Sequence, residues 1–160
     1  MSQTRFINPK ALRRPPGYTH VVEVTAPARI VYIAGQLGVD RDGKVVGDFR
    51  RQAVQTFENL KTALAAVGAQ FRHVVKLNNY LVDRADLPTF REVRDSYLAE
   101  NDRPASTTIA ISGLAREGAL IEIEAVAVLP AAARATAASK AAGKGRTARS
   151  PRRRARAKRR

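Results

Sequence analysis

The sequence predicts an α+β domain, a mixed sheet with two helices packed on one of its faces, followed by a basic tail. Three observations lead there. Short segments that alternate apolar and polar residues recur along residues 1–130, and between them two longer stretches repeat apolar residues every three to four positions. Near residue 130 the composition changes abruptly. Of the 29 Lys and Arg residues 12 lie in residues 131–160, where there is no acid, leaving 17 to face all 14 Asp and Glu. The boundary of a single folded domain is therefore placed at 130.

THVVEVT (19–25) and RIVYIAG (29–35), separated by Ala26, Pro27 and Ala28, are expected to pair as a β-hairpin. The turn-rich stretch after them contains Asp42-Gly43, a tight-turn pair. Asp48 is placed as the N-cap of a helix reaching about Val67, because Phe49, Ala53, Phe57, Leu60, Leu64 and Val67 form one apolar stripe. Gly68 ends it. HVVKLNNYLVD (73–83) reads as a strand and DLPTFREVRDSYLAE (86–100) as a second helix with Leu87, Phe90, Val93 and Tyr97 inward. TTIAIS (107–112) and ALIEIEAVAVL (119–129) complete the sheet, in the order ββαβαββ. With both helices on one face, the other face needs cover, and a second subunit is the expected source.

Several function classes are excluded or made remote. The absence of cysteine rules out disulfides, thiolate metal ligands and a cysteine nucleophile. No apolar run approaches the ~20 residues that span a bilayer, and MSQTRFINPK lacks the apolar centre of a signal peptide, so a soluble cytoplasmic protein without membrane contact is expected. Residues 131–160 contain no Leu, Ile, Val or aromatic side chain to offset the entropy of ordering, and disorder is expected there. Its cations, with Arg152, Arg153, Arg154, Arg156, Lys158, Arg159 and Arg160 the densest, suit contact with nucleic acid by charge alone, against the plainer reading of a solvated extension.

Candidate site residues come from the strands. Ser106, Thr107 and Thr108 stand in a row after Pro104, either as β-compatible residues or as a pocket rim. Alternation puts Glu122 and Glu124 on one face and Ile121, Ile123 and Ala125 on the other; a carboxylate there is either solvated or an acid-base group at a subunit seam, where desolvation would raise its pKa. Asn78 and Asn79 are unusual in mid-strand and reach either a pocket or a neighbouring backbone. His20 and His73 have no metal or nucleophile partner at useful spacing and are read as structural.

The ordered set of PPGYTH (15–20), AGQ (34–36), Gln52 with Asn59-Leu60, the Ala66–Ala69 turn, VVK (74–76), a proline-led strand and IEIEAVAV (121–128) resembles the YjgF/RidA family over about residues 1–130. The tail lies outside it. The resemblance implies a chorismate-mutase-like fold assembled as a homotrimer around a central barrel, with small-molecule clefts at the subunit interfaces. It also implies hydrolysis of imines and enamines released by pyridoxal-phosphate enzymes to 2-keto acids and ammonia, without metal or organic cofactor. Tyr18, Gly35 and Glu122 match cleft positions, with Glu122 and Tyr18 in catalytic roles and Gln36 beside them in the binding set.

The resemblance is incomplete where the chemistry is most demanding. Active members read P-x-R-S-C, and the arginine binds the substrate carboxylate. Here Pro104 is followed by Ser106 in the arginine position and Thr108 in the cysteine position, and Ala34 stands for the serine of SGQ. A hydroxyl offers a neutral hydrogen bond, roughly half as strong as a charge-assisted one, so carboxylate capture through position 106 is expected to be weak. Two readings follow: a divergent imine or enamine hydrolase with Ser106, Thr107 and Thr108 in its binding cleft, or a non-catalytic ligand-binding trimer whose tails hold nucleic acid. Arg103 and Arg116 are the arginines considered as replacements for the clamp.

Overall fold

The computed structural model describes residues 4–25 and 28–131. Along the chain run β1 (Thr4–Ile7), β2 (Val21–Val24), β3 (Ala28–Leu37), α1 (Phe49–Ala65), β4 (Val74–Leu81), α2 (Leu87–Tyr97), β5 (Ala105–Ala110) and β6 (Ile121–Pro130). Four strands form one mixed sheet in the order β3-β6-β4-β5, with β4 and β5 parallel and the other pairs antiparallel. The parallel pair is joined through α2, as a crossover requires. The tail from residue 132 onward, including the arginines and lysine proposed to meet nucleic acid, lies outside the described residues.

α1 begins where Asp48 accepts the Arg51 backbone N–H at 3.0 Å. It ends at Gly68, whose φ of +73° lets its N–H reach the Ala65 carbonyl while Ala69 N–H reaches Leu64, the paired bonds of a Schellman stop. Phe49, Ala53, Phe57, Leu60 and Leu64 are buried as the stripe requires, and they meet Leu77, Ile121, Ile123, Ala125 and Ala127 of the sheet. α2 adds Phe90 and Val93 to the same core. The opposite sheet face carries Ile30 (55% exposed), Tyr32 (79%) and Ile109 (47%), an apolar surface with nothing over it in one protomer.

The expected hairpin between 19–25 and 29–35 is corrected. β2 pairs instead with β1, Thr4 opposite Val24 through Ile7 opposite Val21, and Arg5 bridges Glu23 at 2.7 Å. β3 is taken by β6 over most of its length. TRFI is a four-residue strand with a single cycle of alternation, too short to announce itself against the polar residues around it. The last helix turn also falls short of Glu100, since Leu98 leaves the helical conformation.

The Gln and Asn of the α1 motif have structural work. Gln52, 1% exposed, donates from Nε2 to the Gly118 carbonyl (3.1 Å) and accepts the Leu120 N–H at Oε1 (2.8 Å), tying the loop before β6 to the helix. Asn59 Nδ2 donates to the Leu37 and Val39 carbonyls at 2.9 Å each, holding the end of β3.

Candidate active site

β5 is an edge strand, and its alternation divides the hydroxyl row. Ser106 pairs with Leu77 and Thr108 with Asn79, both buried on the helix side, whereas Thr107 pairs with Asn78 on the opposite face. Thr107 Oγ1 there receives Lys76 Nζ at 2.7 Å. Of the three hydroxyls in the row, Ser106 and Thr108 therefore share one face and Thr107 takes the other, because side chains two apart share a strand face and neighbours do not.

Asn79 organises those two. Its Nδ2 lies within hydrogen-bond distance of Ser106 Oγ (3.0 Å), the Thr107 carbonyl (2.9 Å) and Thr108 Oγ1 (3.1 Å), so its two hydrogens are shared among three acceptors. The carbonyl accepts only, which fixes the amide orientation; both hydroxyls then accept from Asn79 and keep their own protons for donation elsewhere. Ser106 and Thr108 line a cavity of about 370 Å³ with Pro16, Tyr18, Leu81, Leu87, Ile109 and Ala110, and with Arg84, Arg91 and Arg94 of the α2 side. Three arginines thus stand among the residues that line the pocket beside Ser106. Arg94 is 4% exposed, shares Asp95 with Arg103 (2.8 and 2.6 Å) and lies 5.7 Å over the Phe90 ring. Arg103 is further occupied by the Ala99 carbonyl, and Arg116 donates to the Gly43 carbonyl, so neither arginine considered from the sequence is free.

Tyr18 arrives from the loop before β2, which is pinned by the Thr19 N–H on the Pro104 carbonyl at 3.2 Å. Its ring meets His20 edge-on at 5.4 Å, and His20 Nε2 lies 2.9 Å from the Arg13 carbonyl. His73 Nδ1 accepts the Gln70 N–H at 2.9 Å, and burial then the nearby Arg72 lower its pKa. Both histidines act within their own loops. No cluster of three potential metal ligands occurs among the described residues.

Gly35, Gln36 and Glu122 lie elsewhere in the protomer. β3 gains one residue relative to β6 between Ile33 and Gln36, a β-bulge that presents Ala34 and Gly35 irregularly beside the open face. A Cβ at Gly35 would come within 2.7 Å of Glu122 Cδ, so the carboxylate packs against bare backbone. Gly35 and Gln36 also line a shallow cavity of about 360 Å³ with Asp40, Asn59 and Arg116. Next to Glu122 on the open face, Tyr80 and Asn78 both donate to Glu124 Oε2 at 3.2 Å. Desolvation first, then the charges of Glu124 and Glu122, push the Tyr80 phenol above its ordinary pKa.

The site residues thus form two groups: Tyr18, Ser106 and Thr108 beside the β5 edge, Gly35, Gln36 and Glu122 toward the β3 edge. Three inter-strand steps of ~4.8 Å put the two edges ~14 Å apart. The α2 arginines escaped sequence reading, which followed only the apolar residues of that helix. The signal was present in Arg84, Leu87, Arg91 and Arg94, at three- and four-residue steps along one side.

Residues 10–129 match the family described as Endoribonuclease L-PSP. The chain is 31% identical over 132 residues to the 2-iminobutanoate/2-iminopropanoate deaminase of Dermatophagoides farinae, covering 81% of this chain and 99% of that one. It is 35% identical to the 3-aminoacrylate deaminase RutC of Acinetobacter baylyi, covering 71% and 90%. Among solved structures, the Rid-family protein YyfB of Yersinia pestis superposes with a TM-score of 0.72 at 34% identity, covering 79% of this chain and 98% of that one.

Proposed function

The chain belongs to the Endoribonuclease L-PSP family, which is the YjgF/RidA family, and from that membership we propose that it hydrolyses small imines or enamines in a cleft completed by a second subunit. The observation that carries this reading is the separation of the polar site residues within one sheet, Tyr18, Ser106 and Thr108 beside the β5 edge and Gly35, Gln36 and Glu122 on β3 and the adjoining strand β6. Bringing the β3 edge of one copy to the β5 edge of the next would set Glu122 across from Tyr18, Ser106 and Thr108. That contact is heterologous, and a ring of three closes it while covering Ile30, Tyr32 and Ile109.

In such a cleft the Glu122 carboxylate takes a proton from water as the water oxygen bonds to the imine carbon. The π pair moves to nitrogen, which is protonated to give a carbinolamine. Collapse forms the carbonyl, breaks the C–N bond and expels ammonia, so one water is consumed for each ammonia released. Tyr18 stands at the mouth of the other half, where its hydroxyl can hold the substrate or carry the proton to nitrogen. The relatives named as deaminases of 2-imino acids and of 3-aminoacrylate support the reaction class. The test is keto-acid and ammonia release from 2-aminoacrylate or 2-iminobutanoate generated in a coupled assay. Release above the uncatalysed rate, lost in Glu122→Gln, is expected. No acceleration by the unaltered chain on either compound would refute the proposal.

A further inference from the structure

We propose that substrate-anion recognition in this chain has moved from position 106 to the α2 side of the pocket, where Arg91 with Arg84 binds the carboxylate of a short aliphatic 2-imino acid. The inference rests on the hydrolase reading for the reaction but concerns binding, which is measured separately.

The first ground is the chemistry of the lining. The polar side chains among the lining residues are those of Arg84, Arg91, Arg94, Tyr18, Ser106 and Thr108, and no Asp or Glu is among them. Asn79 donates to Ser106 Oγ and Thr108 Oγ1, so both hydroxyl protons are left to donate. A pocket of donors selects a ligand end that only accepts, which describes a carboxylate.

The second ground is which arginines are available. Arg94 is spent on Asp95 and the Phe90 ring. The guanidinium groups of Arg84 and Arg91 have neither a hydrogen bond nor an ion pair among the described residues, although carboxylates on the same helix are taken: Glu92 by Arg50, Asp95 by Arg94 and Arg103. Leu87 lies between them on the same side, and Leu81, Ile109 and Ala110 continue the apolar lining. The lining thus combines arginines with short hydrocarbon side chains, and its volume of about 370 Å³ leaves room for a few-carbon acid. A guanidinium here compensates for Ser106, which by itself contributes only a neutral bond.

The experiment titrates the full chain with 2-oxobutanoate, the hydrolysis product of 2-iminobutanoate, by calorimetry, alongside its uncharged amide. Arg91→Gln is expected to weaken 2-oxobutanoate binding at least tenfold, and the Arg84→Gln/Arg91→Gln pair further. Binding of the amide should be unchanged by either. Both side chains are exposed, and unaltered circular dichroism and melting confirm that the fold is intact. Equal 2-oxobutanoate affinity in the unaltered chain and the double variant, or no binding by the unaltered chain, overturns the proposal. Arginine-dependent binding without imine turnover would sink the hydrolase reading and leave this one standing; turnover and binding both indifferent to the two arginines would do the reverse.

Discussion

Gly35→Ala perturbs Glu122 without touching it in sequence. The added Cβ would stand 2.7 Å from Glu122 Cδ and 3.0 Å from Cγ, whereas carbon atoms in contact settle at ~3.5–4.0 Å. Because the new Cβ also overlaps Glu122 Oε1, the carboxylate must retreat by at least about 1 Å, and as the end of a flexible, half-buried side chain it can do so. Gly35 has an ordinary backbone conformation, its φ lying outside the left-handed region, so alanine adds no backbone strain there. The change in stability should stay within about 1 kcal/mol, since the restricted unfolded chain offsets part of the crowding. Turnover should suffer far more, because displacing a reacting group by about 1 Å costs on the order of 100-fold. Gly113→Ala is the control, with nothing within 4 Å of the new Cβ. Keto-acid release and thermal melting are measured on all three proteins. A folded Gly35→Ala protein with undiminished turnover would refute the placement of Glu122 in the reaction.

Tyr97→Phe keeps the stack on Phe57 at 4.9 Å but removes the hydroxyl that donates to Glu58 at 2.9 Å. That donation, with Lys61, holds the Glu58 pKa below its usual 4.5, so its stabilisation is present above about pH 4.5 and lost as pH falls through the lowered value. With Glu58 half exposed, urea titration should show a loss of about 0.5–1 kcal/mol at pH 7 that shrinks below pH 4; a pH-independent loss would contradict it. Gln52→Ala strips the buried clamp on Gly118 and Leu120 and should cost about 2–4 kcal/mol in urea unfolding, with a loss under 1 kcal/mol showing that the loop before β6 holds itself. Light scattering should give the proposed trimer for the unaltered chain and a monomer without turnover for Tyr32→Asp, whereas the same assembly in both would remove the open face from the interface.

Much of the fold could be read directly because its cues are long and periodic. Seventeen residues of α1 repeat their apolar stripe several times, and Asp48 and Gly68 are chemically distinctive ends. β1 has four residues and one alternation, so only the pairing of Arg5 with Glu23 and Phe6 with Val22 reveals it. The site divides in the same way. Gly35 and Glu122 stand out in motifs, but that glycine's bare backbone makes room for the carboxylate is a fact of packing across β3 and β6. The separation of Thr107 from Ser106 and Thr108 follows from strand alternation once β5 is placed on the sheet edge. Arg84 and Arg91 were hidden by their company: charged residues on a surface helix ordinarily face water, and only the cavity against β5 sets these apart.

Mixing two inactive variants tests most directly whether the site is shared between copies. Tyr18→Ala disables the β5-edge half and Glu122→Gln the other, and each protein alone should show background turnover. Unfolded together and refolded as mixed trimers, they should recover about a quarter of the unaltered activity, the random share of interfaces at which both intact halves meet. Turnover remaining at background in verified mixed trimers would contradict a cleft built from two subunits.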